Sequence, residues 1–304
     1  MRVDVATPSS IPTRQANSHK GMLFMLGGMF FFAGADVLSK LLTDYFHPIQ
    51  IFWFRQLALL LGVLTMLSIH GSAILHTRRR LLQITRGTLV VVSSLLFIFA
   101  VRHVPLADAV AASFVAPFFL TILGATLLGE KVGLRRWLAV VVGFLGALII
   151  VRPGMNSVHP AVMLVVLAAA CYAIRQVLGR LLADTDKSTT TIAHTALTAS
   201  LIASLALPFF WLWPETRFQW LALLGVALCG GVGEILVIKA LETAETAVVA
   251  PVHYTLIIWG TLYGYLVFEQ LPDRWTWTGT AIIVAAGIYT LQRDRLKRRA
   301  PVSN

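Results

Sequence analysis

A chain of 304 residues could hold about two soluble domains. Its 57% hydrophobic and 13% charged residues, with a mean hydropathy of +0.78, instead place it in a membrane. A crossing helix needs about 20 apolar residues, so about ten crossings use roughly 200 positions and exclude a sizeable soluble domain. The net charge of +11 falls between apolar runs, where it bears on orientation and does not call for a nucleic-acid partner.

Residues 1–20 form a polar tail, and the apolar run after Lys20 is too long for a signal-peptide core, so it reads as a retained first helix. Apolar runs follow at 21–43, 49–70, 83–101, 107–128 and 134–151, then at 160–182, 190–213, 218–238, 246–268 and 276–292. Only Arg102, His103 and Pro105 separate the third run from the fourth, but 83–128 cannot cross as one helix, so a turn is expected there. Cys171 and Cys229 lie within apolar runs, without metal-ligand or paired spacing, and read as packing residues. The pattern predicts an all-α integral membrane protein of ten transmembrane helices, with no cofactor or metal site.

Placing the N-terminal tail in the cytoplasm puts 18 of the 25 Lys and Arg on that side, with Arg86 counted beside Arg78, Arg79 and Arg80 in the loop before the third helix, and only Arg102, Arg152, Arg217 and Arg274 on the other. Both termini are therefore expected to be cytoplasmic, with the basic tail at 293–304 lying against anionic lipid. Lys40, Arg55 and Arg175 remain within helices or at their ends.

An internal repeat organises the chain. VLSKLLTD at 37–44 recurs as VLGRLLAD at 177–184, an offset of 140, with Lys40 replaced by Arg180. LLGE at 127–130 is matched with LVFE at 266–269, which aligns Glu130 with Glu269. Each unit then has five helices, 21–153 and 158–292, and an odd number makes the second copy enter the membrane upside down. Two inverted halves suit alternating access, in which a site between them opens first to one side and then to the other.

The residues also resemble the drug/metabolite transporter superfamily in its ten-helix form with two EamA-type domains. The resemblance rests on Pro117 leading into LLGEKVGLRRW (127–137), on GFLGALIIVRPG (143–154), and on TAVVAPVHYTLIIWGTLYGYLVFEQ (246–270) with the Trp-rich helix after it. It implies secondary transport of small organic solutes through a central cavity, in the inner membrane of a bacterium. The APVHYT segment at 250–255 is similar to that of members suggested to carry riboflavin, S-adenosylmethionine or other metabolites. The expected substrate is an amphipathic or heteroaromatic solute of this kind, or an amino acid. Its partners are the lipid bilayer and protons as coupling ion; a homodimer is compatible with the pattern.

Charged side chains in hydrocarbon cost about 2.5–3.5 kcal/mol on insertion scales, so each needs a partner or a wet cavity. Asp36 and Lys40, four apart on one face of the first helix, can neutralise each other or line a cavity. Arg55 lies deep in the second helix, and Arg175 in the sixth, next to Gln176. His194 takes the repeat position of Phe54, beside Thr195, the counterpart of Arg55; it reads either as a hydrogen-bonded packing residue or as a functional imidazole. Glu234 follows the small residues GGVG near mid-span and is, with Asp36, a candidate for proton coupling. Pro251 interrupts the ninth helix, where His253, Tyr254 and Trp259 could stack on a planar substrate. The substrate-binding candidates are thus Lys40, Arg55, Arg175, His194, His253, Tyr254 and Trp259.

Two motifs suggest other functions. GATLLGEK at 124–131 lacks the Lys and the following Ser or Thr of a phosphate loop and ends a helix instead of starting one. HVPLAD offers His103 and Asp108 at acyltransferase spacing, so a membrane-embedded enzyme is an alternative, as is a non-transporting membrane subunit. The expectation is a carrier and not an enzyme.

Overall fold

The computed structural model describes residues 18–130, 132–152, 159–244 and 246–299. Most of the expected N-terminal tail, Lys131, Glu245 and the side chains of the basic C-terminal tail lie outside the described residues. Long apolar stretches fold as helices because hydrocarbon offers nothing to the backbone N–H and C=O groups, which must pair within the segment. The first half contains α1 (Ser18–Leu42), α2 (Pro48–His70), α3 (Arg80–Val101), α4 (Leu106–Ser113), α5 (Ala116–Leu127) and α6 (Leu134–Val151). The second contains α7 (Val162–Ala183), α8 (Ser188–Ala206), α9 (Arg217–Thr243), α10 (Thr246–His253), α11 (Thr255–Phe268) and α12 (Arg274–Arg299). α4 with α5, and α10 with α11, each form one broken crossing, so the twelve helices make ten crossings. Eight stretches are long and apolar enough to span by length and composition, α4–α5 being one of them; α10–α11 and α12 complete the set.

The turn expected between the third and fourth runs lies at 102–105. The seventh run is shorter than expected: α8 ends at Ala206 and Leu207–Phe209 forms a 3-10 turn. Pro208 lacks an N–H and cannot continue the ladder. The aromatic residues that lengthened the apolar run pack outside the helix instead, Trp211 stacking on Phe54 and Phe210 on His47 at 4.0 Å. Local signals fix other helix starts. Thr216 and Gln219 form a capping box at α9, and the Asp273 carboxylate accepts a hydrogen bond from Thr276 N at α12.

The two halves repeat at an offset of 140 down to single hydrogen bonds. Val104 N donates to Ala100 O and Ala244 N to Ala240 O, while Phe114 N donates to Ala111 O and Tyr254 N to Pro251 O. Glu130 N donates to Gly124 O and Gln270 N to Gly264 O, and the residues just before them, Gly129 and Glu269, are both left-handed, with φ of 65° and 55°. Glu130 is therefore equivalent to Gln270, and the match of Glu130 with Glu269 is one residue out of register. Shared glutamates suggested that match, but the helix end is set by backbone conformation, and Glu269 stands where the first half has glycine.

Small residues hold the halves together. α1 packs along α9, with Phe32 and Gly28 against Gly233, and α6 crosses α12 where Gly146 meets the carbonyl of Gly279. The face where α1 starts and α12 ends is here called the terminal face, and the other the far face. On the far side α4 packs directly on α11, Val110 against Gly260; α5 and α10 show no comparable packing among the described residues on the terminal side.

A left-handed conformation costs a non-glycine residue roughly 1–2 kcal/mol. Glu269→Gly is expected to stabilise the folded protein by about 1 kcal/mol, read as a higher melting temperature in detergent, whereas Gly129→Ala should lower it.

Candidate functional site

Two polar layers lie within the helices at similar depths from opposite faces. In the far layer, Arg55 Nη1 donates to Asp36 Oδ1 at 2.7 Å, joining α2 to α1. At 1.5 Å rise per residue both groups lie about 10 Å from the far ends of their helices. Arg55 reaches Asp36 across Gly230 of α9, where a Cβ would lie 3.3 Å from its Cγ. The expected Asp36–Lys40 pair is thus replaced by one between helices. The i, i+4 spacing put Lys40 within reach, but Asp36 is buried and faces α2.

Lys40 lies nearer the far face, donating to Val104 O at 2.7 Å and to Gln270 Oε1 at 3.2 Å, with its ammonium 4.9 Å from the Phe268 ring centre. Its repeat counterpart Arg180 pairs with Glu130 at 2.8 Å on the terminal side, so one contact occurs twice, inverted. Asp108 and Asp44 act electrostatically on Lys40. Asp273, which pairs with Arg152 at 2.7 Å, lies beside Asp108. His103 stacks on His159 at 4.9 Å, and Asp108 faces Thr276, Lys40 and Arg152.

The terminal layer centres on Arg86 of α3, a residue expected among the loop charges. Because α3 starts at Arg80, Arg86 lies about 9 Å into the helix; the start of that helix was the signal that could have found it. Its guanidinium donates to Thr195 Oγ1 of α8 and experiences the charges of Arg175 and Glu234. Arg175 lies over the ring of Tyr172 at 4.6 Å, and Tyr172 OH accepts from Gln176 Nε2 at 3.3 Å. The Nε atoms of both Arg86 and Arg175 are buried without a hydrogen-bond partner among the described residues. Glu234 is one turn from Gly230, on the face of α9 that lies against Arg55.

Between the layers the two broken crossings meet. Phe114 and Tyr254, equivalent residues at the two breaks, stack at 4.9 Å with a 25° interplanar angle, and His253 meets Phe114 edge-on at 5.6 Å. The Tyr254 hydroxyl occupies the space where Gly287 of α12 lacks a side chain. Trp259 packs edge-on against Phe30 at 5.2 Å, and its indole Nε1 is buried without a partner among the described residues.

His194 stands apart from this group. Its Nε2 lies 3.0 Å from Leu75 O, tying α8 to the turn before α3. In the same terminal-face network Asp186 accepts from Thr77 Oγ1 at 2.6 Å and Gln83 Nε2 at 2.7 Å. Burial raises the Asp186 pKa, but the hydrogen bonds from Thr77 and Gln83 outweigh it and hold the carboxyl below its usual value.

The model of the EamA-like transporter family matches the chain twice, over residues 19–152 and 159–291. The chain belongs to the EamA-like transporter family. It is 25% identical over 260 residues to an S-adenosylmethionine uptake transporter of Rickettsia bellii, covering 86% of this chain and 89% of that protein. It is 31% identical over 216 residues to a riboflavin transporter of Vibrio cholerae, covering 70% and 72%. A pseudopaline exporter of Pseudomonas aeruginosa is 26% identical over 272 residues, 88% and 94% of the two chains. A solved structure described as a crystal structure of protein superposes with a TM-score of 0.63 at 15% identity, over 92% of this chain and 99% of that one, and shows the same fold. This EamA protein is therefore a small-metabolite transporter and not an enzyme. The acyltransferase alternative built on His103 and Asp108 is set aside.

Asp36→Asn leaves the Arg55 guanidinium unpaired in the membrane and should destabilise the protein by about 3 kcal/mol. The double variant with Arg55→Gln should recover most of that loss in a thermal-melting cycle. Because the folded Asp186 carboxyl binds protons less readily than the unfolded one, its contribution is complete above the unfolded value of about 3.9 and fades as pH falls through the lower folded value. Melting temperatures across about pH 2–4, from the unfolded carboxylate value downward, should therefore fall less steeply in Asp186→Asn than in the wild type.

Proposed function

We propose that the protein carries a small amphipathic metabolite with a planar ring across the cytoplasmic membrane by alternating access, its termini on the cytoplasmic side. The observation that carries this reading is the stacking of Phe114 on Tyr254. The two helix breaks lie together on the pseudo-two-fold axis, with a polar layer toward each face. Irregular backbone at mid-membrane is tolerated where it is buried in protein or lines a wet cavity. The repeats over 21–153 and 158–292 then act as the two moving units. The far-side contact of α4 with α11, without comparable packing of α5 on α10 among the described residues, corresponds to a state open toward the terminal face.

His253, Tyr254 and Trp259 supply aromatic surface for a ring, and Lys40 lies toward the far entrance. Riboflavin, S-adenosylmethionine or an amino acid fit this arrangement, in keeping with the names of the relatives. Glu234, within the field of Arg86, is the group through which a proton can be coupled, and the 18-to-4 distribution of Lys and Arg supports the orientation.

Purified protein in sealed vesicles is expected to accumulate riboflavin or S-adenosylmethionine without nucleotide; strict dependence on ATP would sink this reading. Glu234→Gln should impair proton-driven accumulation more than solute exchange. Gly287→Val, which displaces the Tyr254 hydroxyl, should reduce both by about tenfold, as expected for a misplaced binding group.

A further inference from the structure

The two polar layers are related by the repeat, and they differ in one respect that bears on the solute. At the offset of 140, Asp36 corresponds to Gln176 and Arg55 to Thr195. In the far half an arginine at position 55 is neutralised by an aspartate at position 36, at 2.7 Å. In the terminal half the guanidinium comes from α3, as Arg86 reaching Thr195, and the position of the acid is an amide. Arg175 adds a second guanidinium in electrostatic range, and Glu234 offsets only one of the two.

The far pair is neutral, whereas Arg86, Arg175 and Glu234 together carry one excess positive charge inside the helices. Both arginines also keep a buried Nε without an acceptor among the described residues. An uncompensated charge and orphaned donors at this depth are costly unless a ligand supplies the partner. A carboxylate meets both needs, because guanidinium groups bind it through paired, charge-assisted hydrogen bonds.

We infer that the transported solute carries a carboxylate, which docks on Arg86 and Arg175 in the place that Asp36 takes in the other repeat. The inference rests on the carrier reading above and narrows its substrate class. Asp36 with Arg55 is a built-in template of the substrate complex: one half of the duplicated fold holds its anion covalently, and the other receives it from solution. A neutral ring compound without a carboxylate would leave the excess charge in place. The amide of Gln176, donating to Tyr172, holds the vacant position without filling it.

The test uses full-length protein in sealed vesicles and five solutes: S-adenosylmethionine and its decarboxylated form, tryptophan and tryptamine, and riboflavin, which has no carboxylate. Wild-type protein should move at least one carboxylated solute and discriminate against its decarboxylated partner by about 10- to 100-fold, the range of one to two charge-assisted hydrogen bonds. Gln176→Glu supplies the missing anion from within the chain. It should lower carboxylated uptake by about the same factor, with no fall in melting temperature. If Gln176→Glu does not fold, Arg86→Gln makes the comparison, losing the carboxylated solute but not its decarboxylated partner.

Transport of riboflavin or the amines as fast as the carboxylated solutes overturns the inference while leaving the carrier reading intact. Unchanged uptake by a folded Gln176→Glu protein does so too. If none of the five moves, the proposal of a planar-ring metabolite as the solute falls, and the inference with it, while the family assignment stands.

Discussion

In hydrocarbon, a backbone can break its hydrogen-bond ladder only where protein or a wet cavity receives the freed groups, and this chain breaks twice, at equivalent places. Phe114 and Tyr254 mark the two breaks and stack on each other, so each interruption is covered by the other. The rest of the architecture follows from this contact. It fixes the pseudo-two-fold axis, sets α4 against α11, and leaves the polar side chains of α1–α3 and α7–α9 in layers above and below. Gly287 serves the same end on α12, giving the Tyr254 hydroxyl somewhere to lie.

The charged residues follow a second constraint. Two intramembrane arginines reach across a helix boundary, Arg55 to Asp36 and Arg86 to Thr195, with Arg175 and Glu234 in electrostatic range of Arg86. Gly230 of α9 lies against Arg55, and Gly87 of α3 lets α8 approach at Thr198, so close helix packing and the placement of these charges go together. Toward the membrane faces, Arg180–Glu130, Lys40–Gln270 and the Asp186 network meet water and serve to hold helix ends in place.

The ten crossings, the duplication and its inversion were legible because apolar run length and repeat offset are properties of the chain alone. What depended on backbone conformation or on a second helix was not. The seventh crossing looked too long because Trp211 and Trp213 are apolar, although Pro208 had already ended the helix. Residue identity matches Glu130 with Glu269, whereas the left-handed turn pairs it with Gln270. Helical spacing pairs Asp36 with Lys40 because it reports only neighbours within one helix, and positive-side counting assigns Arg86 to a loop because it absorbs any arginine near a helix start. His253, Tyr254 and Trp259 stood out by their nearness to Pro251, but nothing in their spacing showed that Phe114, from the other half, would complete the group.

The seam between α4 and α11 has a thermodynamic consequence. Gly260 lets Val110 approach closely on the far side, while the equivalent positions on α5 and α10 are Leu120 and Ala250. Two seams built from different side chains do not close with the same free energy, and about 1.4 kcal/mol between them is a tenfold difference in population. On the alternating-access reading the molecule without solute therefore favours one orientation, and Gly260 contributes to that bias. A solute or a proton that bound both orientations equally would leave that bias untouched, however tightly it bound.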